Sequence, residues 1–365
     1  MFRISDITRA LEEFAPISYQ EAYDNSGLLC GDANWIAKGA LLSLDCTEAV
    51  VDEAIQKGCN LIVAHHPLIF GGLKKLSGGS YVERALIKAI KQDIAIYACH
   101  TNIDNVAAGV NAKMTDKLGL VETQVLAPRS GDLRKLVTFV PATHLSAVRE
   151  ALFAAGAGHI GKYSDCSFGS AGEGSFKGAA DTQPFLGEPG KRSLEAEIRL
   201  ETVFPSHLER AVLQALRSAH PYEEVALDVY RLENQWSQLG SGRIGLLPEA
   251  LELNDFLSKV KEVFKVSVIK YTQGTGKPIK KVAVCGGSGR FLLKKAISAG
   301  ADAYLTADFK YHEYFDAQDQ LVLADIGHYE SEQYTSEIFY DVIRKKFSTF
   351  AIHLSEINTN PVNYF

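Results

Sequence analysis

Short unbroken apolar runs, each closed by polar or turn-forming residues, dominate both ends of the chain. The run at 61–64 predicts a buried β-strand, and the runs at 93–99 and 320–326, apolar but for Asp93, Gln320 and Asp325, are strand-like as well. Helical spacing takes over between such runs. Ser5 reads as an N-cap, with Ile7, Leu11 and Phe14 following on one face. A strand is predicted at 40–44, and Thr47 caps a helix with Glu48 in its first turn. Gly58 stops that helix and the 61–64 run follows, so the segment reads as a β-α-β unit with parallel strands and a right-handed crossover. A similar order returns late in the chain. It comprises a strand at 281–285, a tight glycine turn at 286–289, a helix through Ala299 with a stop at Gly300, and a strand at 303–307. Gly58 and Gly300 hold equivalent places, which predicts two related α/β halves.

The middle of the chain has another texture. Strand-like runs at 136–140 and 195–204 each lead into a helix, at Pro141-Ala142-Thr143-His144 and at Pro205-Ser206-His207. Each helix leads back toward a strand, at 163–168 and 225–232. Two β-α-β passes predict a ferredoxin-like (α+β) domain inserted between the halves. Its Gly- and Pro-rich stretch 169–190 reads as loop. The predicted organisation is a metal-binding α/β domain from 1–130 and 237–365, with the insert at 131–236.

Polar chemistry collects where the apolar runs stop. His65-His66 ends the first, His100 and Asp104 follow the second, and His328 and Glu332 follow the third. Adjacent residues on an extended chain point apart. His65 and His66 can therefore diverge toward two nearby ions, or one can bind while the other packs. His328 and Glu332, like His100 and Asp104, are four apart and share a face if helical. Ligand sites form at the carboxyl ends of strands in open α/β sheets, and histidine with carboxylate suits zinc, iron or manganese. The glycine run 286–289 lacks the spacing of a dinucleotide or Walker loop, so it reads as a turn of small residues or a phosphate contact. His144, His159, His207 and His220 lack such convergence and read as structural or surface residues.

Composition narrows the classes. The 365 residues are 46% hydrophobic and 22% charged, ordinary for a globular chain long enough for two domains. A net charge of −6 gives no global support for nucleic-acid binding. The 6 cysteines form no Cys-x-x-Cys pair, which predicts free thiols in a reducing compartment. No apolar signal core or membrane-length run occurs, so a soluble cytoplasmic protein is expected.

Five motifs together carry a resemblance. They are Asp24-Asn25-Ser26-Gly27-Leu28, His65-His66-Pro67, His100-Thr101-Asn102-Ile103-Asp104, Gly240-Ser241-Gly242-Arg243-Ile244-Gly245 and Gly327-His328-Tyr329-Glu330-Ser331-Glu332. In this order they resemble the Nif-three-like family, also called the GTP cyclohydrolase I type 2 or dinuclear-metal-centre family. The middle region is similar to the ferredoxin-like domain inserted in longer bacterial members. The resemblance implies two divalent metal ions per chain, with His65 and His66 serving different ions. Asp104 would bind one ion, His328 the other, and Glu332 would bind or bridge both. His100 would sit at the site as a ligand or proton-transfer residue, and Glu332 would also serve catalysis. It further implies a ring-like homo-hexamer and a hydrolase whose metal-activated water attacks a small nucleotide-like substrate. A phosphoesterase acting on a nucleotide or nucleic acid would use the same machinery. A non-enzymatic metal-handling or regulatory assembly is the reading outside enzymes.

Overall fold

The computed structural model describes residues 1–365, a mixed α/β protein with three sheets. It divides into two compact units, Met1–Pro128 with Gln238–Phe365, and Arg129–Ser237. No helix is long and apolar enough to cross a membrane.

The first unit holds two sheets. One runs in the order Gly27–Cys30, Ala95–Ala98, Leu61–Ala64, Ala40–Ser43, Ile352–Leu354. Its last four strands are parallel, and Gly27–Cys30 is an antiparallel edge. The second sheet runs Lys270–Tyr271, Val322–Asp325, Ala303–Ala307, Ile279–Ser288, Gln235–Leu251, Val121–Ser130. Its three parallel strands are Ile279–Ser288, Ala303–Ala307 and Val322–Asp325, again with a short antiparallel strand beyond the last. Every residue of Ala40–Ser43, Leu61–Ala64, Ala95–Ala98 and Val322–Asp325 is buried. That explains the unbroken apolar runs, because a parallel strand covered on both faces cannot alternate. Ser43, Ala64 and Ala98 are in register. The residues after them therefore leave the sheet along one carboxyl edge.

Local details depart from the sequence reading. The first helix is Ile4–Phe14, two residues earlier than a Ser5 cap would place it. Asp6 accepts a hydrogen bond from the Arg3 amide at 2.8 Å, and Ile4 is fully buried, so burial moves the start. Thr47 does cap Glu48–Gln56, accepting from the Val50 amide at 3.4 Å. The glycines at 286–289 are not a tight turn leading straight into a helix. The strand continues to Ser288, pairing with Ala307, and a 3-10 turn Arg290–Leu292 precedes the helix Leu293–Ser298. The missing side chains admit a neighbour: a Cβ on Gly286 would lie 2.9 Å from Val110.

The second unit is a four-stranded antiparallel sheet in the order Ser167–Lys177, Arg192–Pro205, Leu133–Pro141, Leu227–Leu232. The connectivity is strand-helix-strand-strand-helix-strand, with helices Leu145–Ala154 and Glu209–Ala219. Leu136, Val140, Leu200 and Phe204 pack on Val148, Leu152, Val212 and Leu216 in one apolar core. The strand read at 163–168 begins only at Ser167, and it runs through glycines that read as loop, to Lys177. It pairs with Arg192–Pro205 along its whole length, a pairing that small residues conceal in the sequence.

Candidate metal centre

Every side chain singled out at the strand ends reaches one place. His65 and His66 follow Leu61–Ala64, His100 caps Thr101–Asn105 after Ala95–Ala98, and Asp104 lies in that short helix. His328 and Glu332 begin and end the helix His328–Glu332 after Val322–Asp325. Glu332 Oε2 lies 3.0 Å from His66 Nε2, 3.2 Å from His328 Nε2 and 3.6 Å from His65 Nε2. His65 Nε2 is also 3.7 Å from Asp104 Oδ1. The Nε2 atoms of His66 and His328 are only 3.2 Å apart. The carboxylate of Glu332 thus sits at the middle, almost wholly buried, with imidazoles from both sheets around it.

Each ring is held from behind. His65 Nδ1–H donates to the Cys99 carbonyl at 3.0 Å. His66 donates to Asp45, His100 to Asp24 and His328 to Asp308, each at 2.7 Å from Nδ1. These acceptors cannot donate, so a neutral ring carries its lone pair on Nε2. Thr359 in turn donates to the second oxygen of Asp45 at 2.5 Å. Such outer partners orient and strengthen histidine ligands. The sequence reading missed Asp45 and Asp308 and gave Asp24 no role. Asp45 and Asp308 each lie just beyond a strand's carboxyl end, the same signal that marked the histidines.

The electrostatics follow from burial and these contacts. Burial pushes His65 down to about 4, so it is neutral. Burial also opposes charge on His66, yet hydrogen bonds to Asp45 and Glu332 raise it to about 9. His328 rises to about 11 against burial, through Asp308 and Glu332. Burial, reinforced by the charge of Glu332, holds the Asp104 carboxyl well above its usual range. Glu332 is itself held well below that range, since the surrounding imidazoles overcome its burial. Cations are favoured between these groups, and protons take that place when nothing else does.

Among the cluster's side chains, two buried polar atoms have no hydrogen-bond partner, His65 Nε2 and Asp104 Oδ1. Such orphans are costly without a ligand. The side chains form three overlapping groups that could hold a metal ion, His65–His66–His100, His66–His328–Glu332 and His65–Asp104–Glu332, with donor atoms within 4.8 Å of one another. Donors about 2.0–2.2 Å from a tetrahedral zinc sit about 3.3 Å apart, the spacing found around Glu332. Gly287, with φ of +60°, passes so close to Glu332 that a Cβ would strike its Oε1. The glycine run therefore belongs to this site as a wall. The four histidines of the second unit lie outside the cluster, and buried His220 bonds the Phe139 carbonyl at 2.9 Å.

Comparison with known proteins agrees along the whole chain. A Bacillus subtilis protein named GTP cyclohydrolase 1 type 2 homolog is 42% identical over 364 residues, covering 98% of this chain and 97% of that one. A Halalkalibacterium halodurans protein of the same name is 40% identical, covering 98% of each. A crystal structure of a Bacillus cereus protein related to NIF3 matches with a TM-score of 0.87 at 40% identity, covering 100% of this chain and 99% of that one. The model of the Duf34/NIF3 (NGG1p interacting factor 3) family matches residues 2–361, and the chain belongs to that family.

Proposed function

We propose that this protein holds two divalent metal ions and is a metal-dependent hydrolase acting on a nucleotide-like substrate. The observation that carries the reading is the pair of orphaned buried donors, His65 Nε2 and Asp104 Oδ1, beside a carboxylate shared by three imidazoles. His66, His328 and Glu332 would hold one ion; His65, Asp104 and Glu332 would hold the other. The mixed nitrogen and oxygen set suits zinc, iron or manganese. Two ions held there would lower the pKa of a water at neutral pH and polarise the bond it attacks. His100, held on Asp24 through Nδ1 beside the cluster, would be the group that moves a proton. A closed homo-hexamer is part of the reading, and light scattering should then give a mass near about six chains.

The names carried by relatives support ring opening of a guanine-type substrate; the same set of metal-ligand side chains would also serve a phosphoester. A regulatory, non-enzymatic reading is favoured by one observation. The second unit has its own cavity of about 700 Å³, walled by Phe139, Phe176, Phe185 and Tyr222. The test is a turnover screen of the metal-loaded protein against nucleosides, nucleotides and phosphoesters. Metal-dependent formate release supports the cyclohydrolase form, and phosphate release the phosphoesterase. Bound metal with neither product would overturn the enzyme reading in favour of regulation.

A further inference from the structure

A cleft of about 740 Å³ opens onto the metal centre, and its wall constrains what can enter. Tyr23, Phe70, Tyr81 and Phe291 line it, and they are 66%, 53%, 58% and 68% exposed. Large rings gathered in the open at one mouth mark a binding surface. The Tyr23 and Phe70 ring centroids are 6.3 Å apart, and Phe70 stands edge-on to His100 at 6.1 Å. A path of rings thus leads from solvent to the candidate metal ligands.

Charge is the second constraint. No lysine or arginine lines the cleft, whereas Glu21, Asp45, Asp104 and Glu332 do. Asp24 and Asp308 stand behind His100 and His328. These carboxylates, set against two divalent ions, leave a local charge of about −2 before any substrate arrives. A triphosphate would add about −4 to it, with no lysine or arginine in the lining to add to the two ions already outweighed by the carboxylates. Sites that bind phosphate chains supply arginine, lysine or open helix N-termini. The N-terminus at Thr101 is already engaged, because its amide donates to Asp24 at 2.9 Å.

We infer that the cleft selects a planar heteroaromatic molecule without a polyphosphate, a free base or nucleoside, stacked on Tyr23 and Phe70. The inference rests on the proposed metal centre for its charge balance, and on the exposed rings alone for stacking. A relative's name that invokes GTP therefore does not carry over to this cleft as its substrate.

Calorimetric titration of the full-length protein, zinc-loaded and chelator-stripped, tests this with guanosine and GTP as probes. Guanosine should bind the loaded form at least about tenfold more tightly than GTP at low salt, and the gap should narrow as salt screens the repulsion. Tyr23→Ala and Phe70→Ala should each weaken guanosine binding about 5- to 150-fold, because stacking is worth about 1–3 kcal/mol per base and 1.4 kcal/mol is tenfold. Tyr23→Phe, which keeps the ring, should bind as the parent does. Tighter binding of GTP, no guanosine binding at millimolar concentration, or alanine variants that bind normally would overturn the inference. An alanine variant that lowers the assembly mass in light scattering would also overturn it, assigning the rings to contact between copies. Elemental analysis separates the two failures. A protein that takes up no zinc refutes the metal centre, while guanosine binding to the stripped form still reports on the rings.

Discussion

Filling the proposed centre with zinc would displace protons, and the number displaced follows from what each side chain carries beforehand. His66 is held at about 9 and His328 at about 11, both against burial, by carboxylate hydrogen bonds. Asp104 is raised by burial and by Glu332. His66 and His328 hold protons at pH 7, and ligation requires each without one. His65, lowered by burial to about 4, is already neutral and releases none. Zinc uptake at pH 7 should therefore release at least about two protons per chain, with the raised Asp104 adding to that number. For His66 alone, removing a proton two units below its pKa costs about 2.7 kcal/mol. Affinity should thus rise about tenfold per pH unit from this residue until pH nears 9, and more steeply with the other two. Titration calorimetry in buffers of different ionisation enthalpy counts the protons directly. Release of less than about one proton per chain, or an affinity flat from pH 6 to 8, would refute the shared coordination by His66, His328 and Asp104. The metal-free protein should show the opposite sign. The folded value of His66 lies above its ordinary 6.5, so its stabilisation is full below 6.5 and is lost as pH rises through about 9. Melts of stripped and loaded protein across that window should diverge with rising pH.

Three other outcomes are expected. Gly287→Ala adds a Cβ against Glu332 at a φ of +60°; it should cost about 1–2 kcal/mol in urea unfolding for the left-handed backbone and lower the zinc content. Full zinc content in that variant would argue against Glu332 as a ligand. Asp308→Asn removes the charge that anchors His328 and should weaken zinc binding about 10- to 100-fold by chelator competition, with parental affinity counting against the anchoring role. Replacing residues 129–237 by a short Gly/Ser linker should leave a folded, metal-binding remainder; insoluble product from every linker tried would show that the second unit is integral to the first.

Much of the site is legible because burial of a parallel strand is a local property. Leu61–Ala64, Ala95–Ala98 and, up to its closing Asp325, Val322–Asp325 announce themselves by apolarity. The ligand-type residues come directly after these runs in the chain. The late Gly-Gly-Ser-Gly run is ambiguous by the same logic, since glycines after a strand read equally as a turn. What decides it is that Glu332 occupies the space beside Gly287, and that residue arrives from another element. Ser167–Lys177 shows the converse, a strand without an apolar run, made by its ladder to Arg192–Pro205.

The sequence by itself determined which strands are buried, where they end, and which chemistry each end carries, because neighbours in the chain encode burial and periodicity. Tertiary structure alone decided that His66 and His328, 262 residues apart, bring their Nε2 atoms within 3.2 Å. It also decided that Asp45 and Asp308 stand behind them. A single aspartate after a strand looks like any loop residue until sheet register and packing aim a histidine at it. Those are sums over many distant contacts, and no local window of the chain contains them.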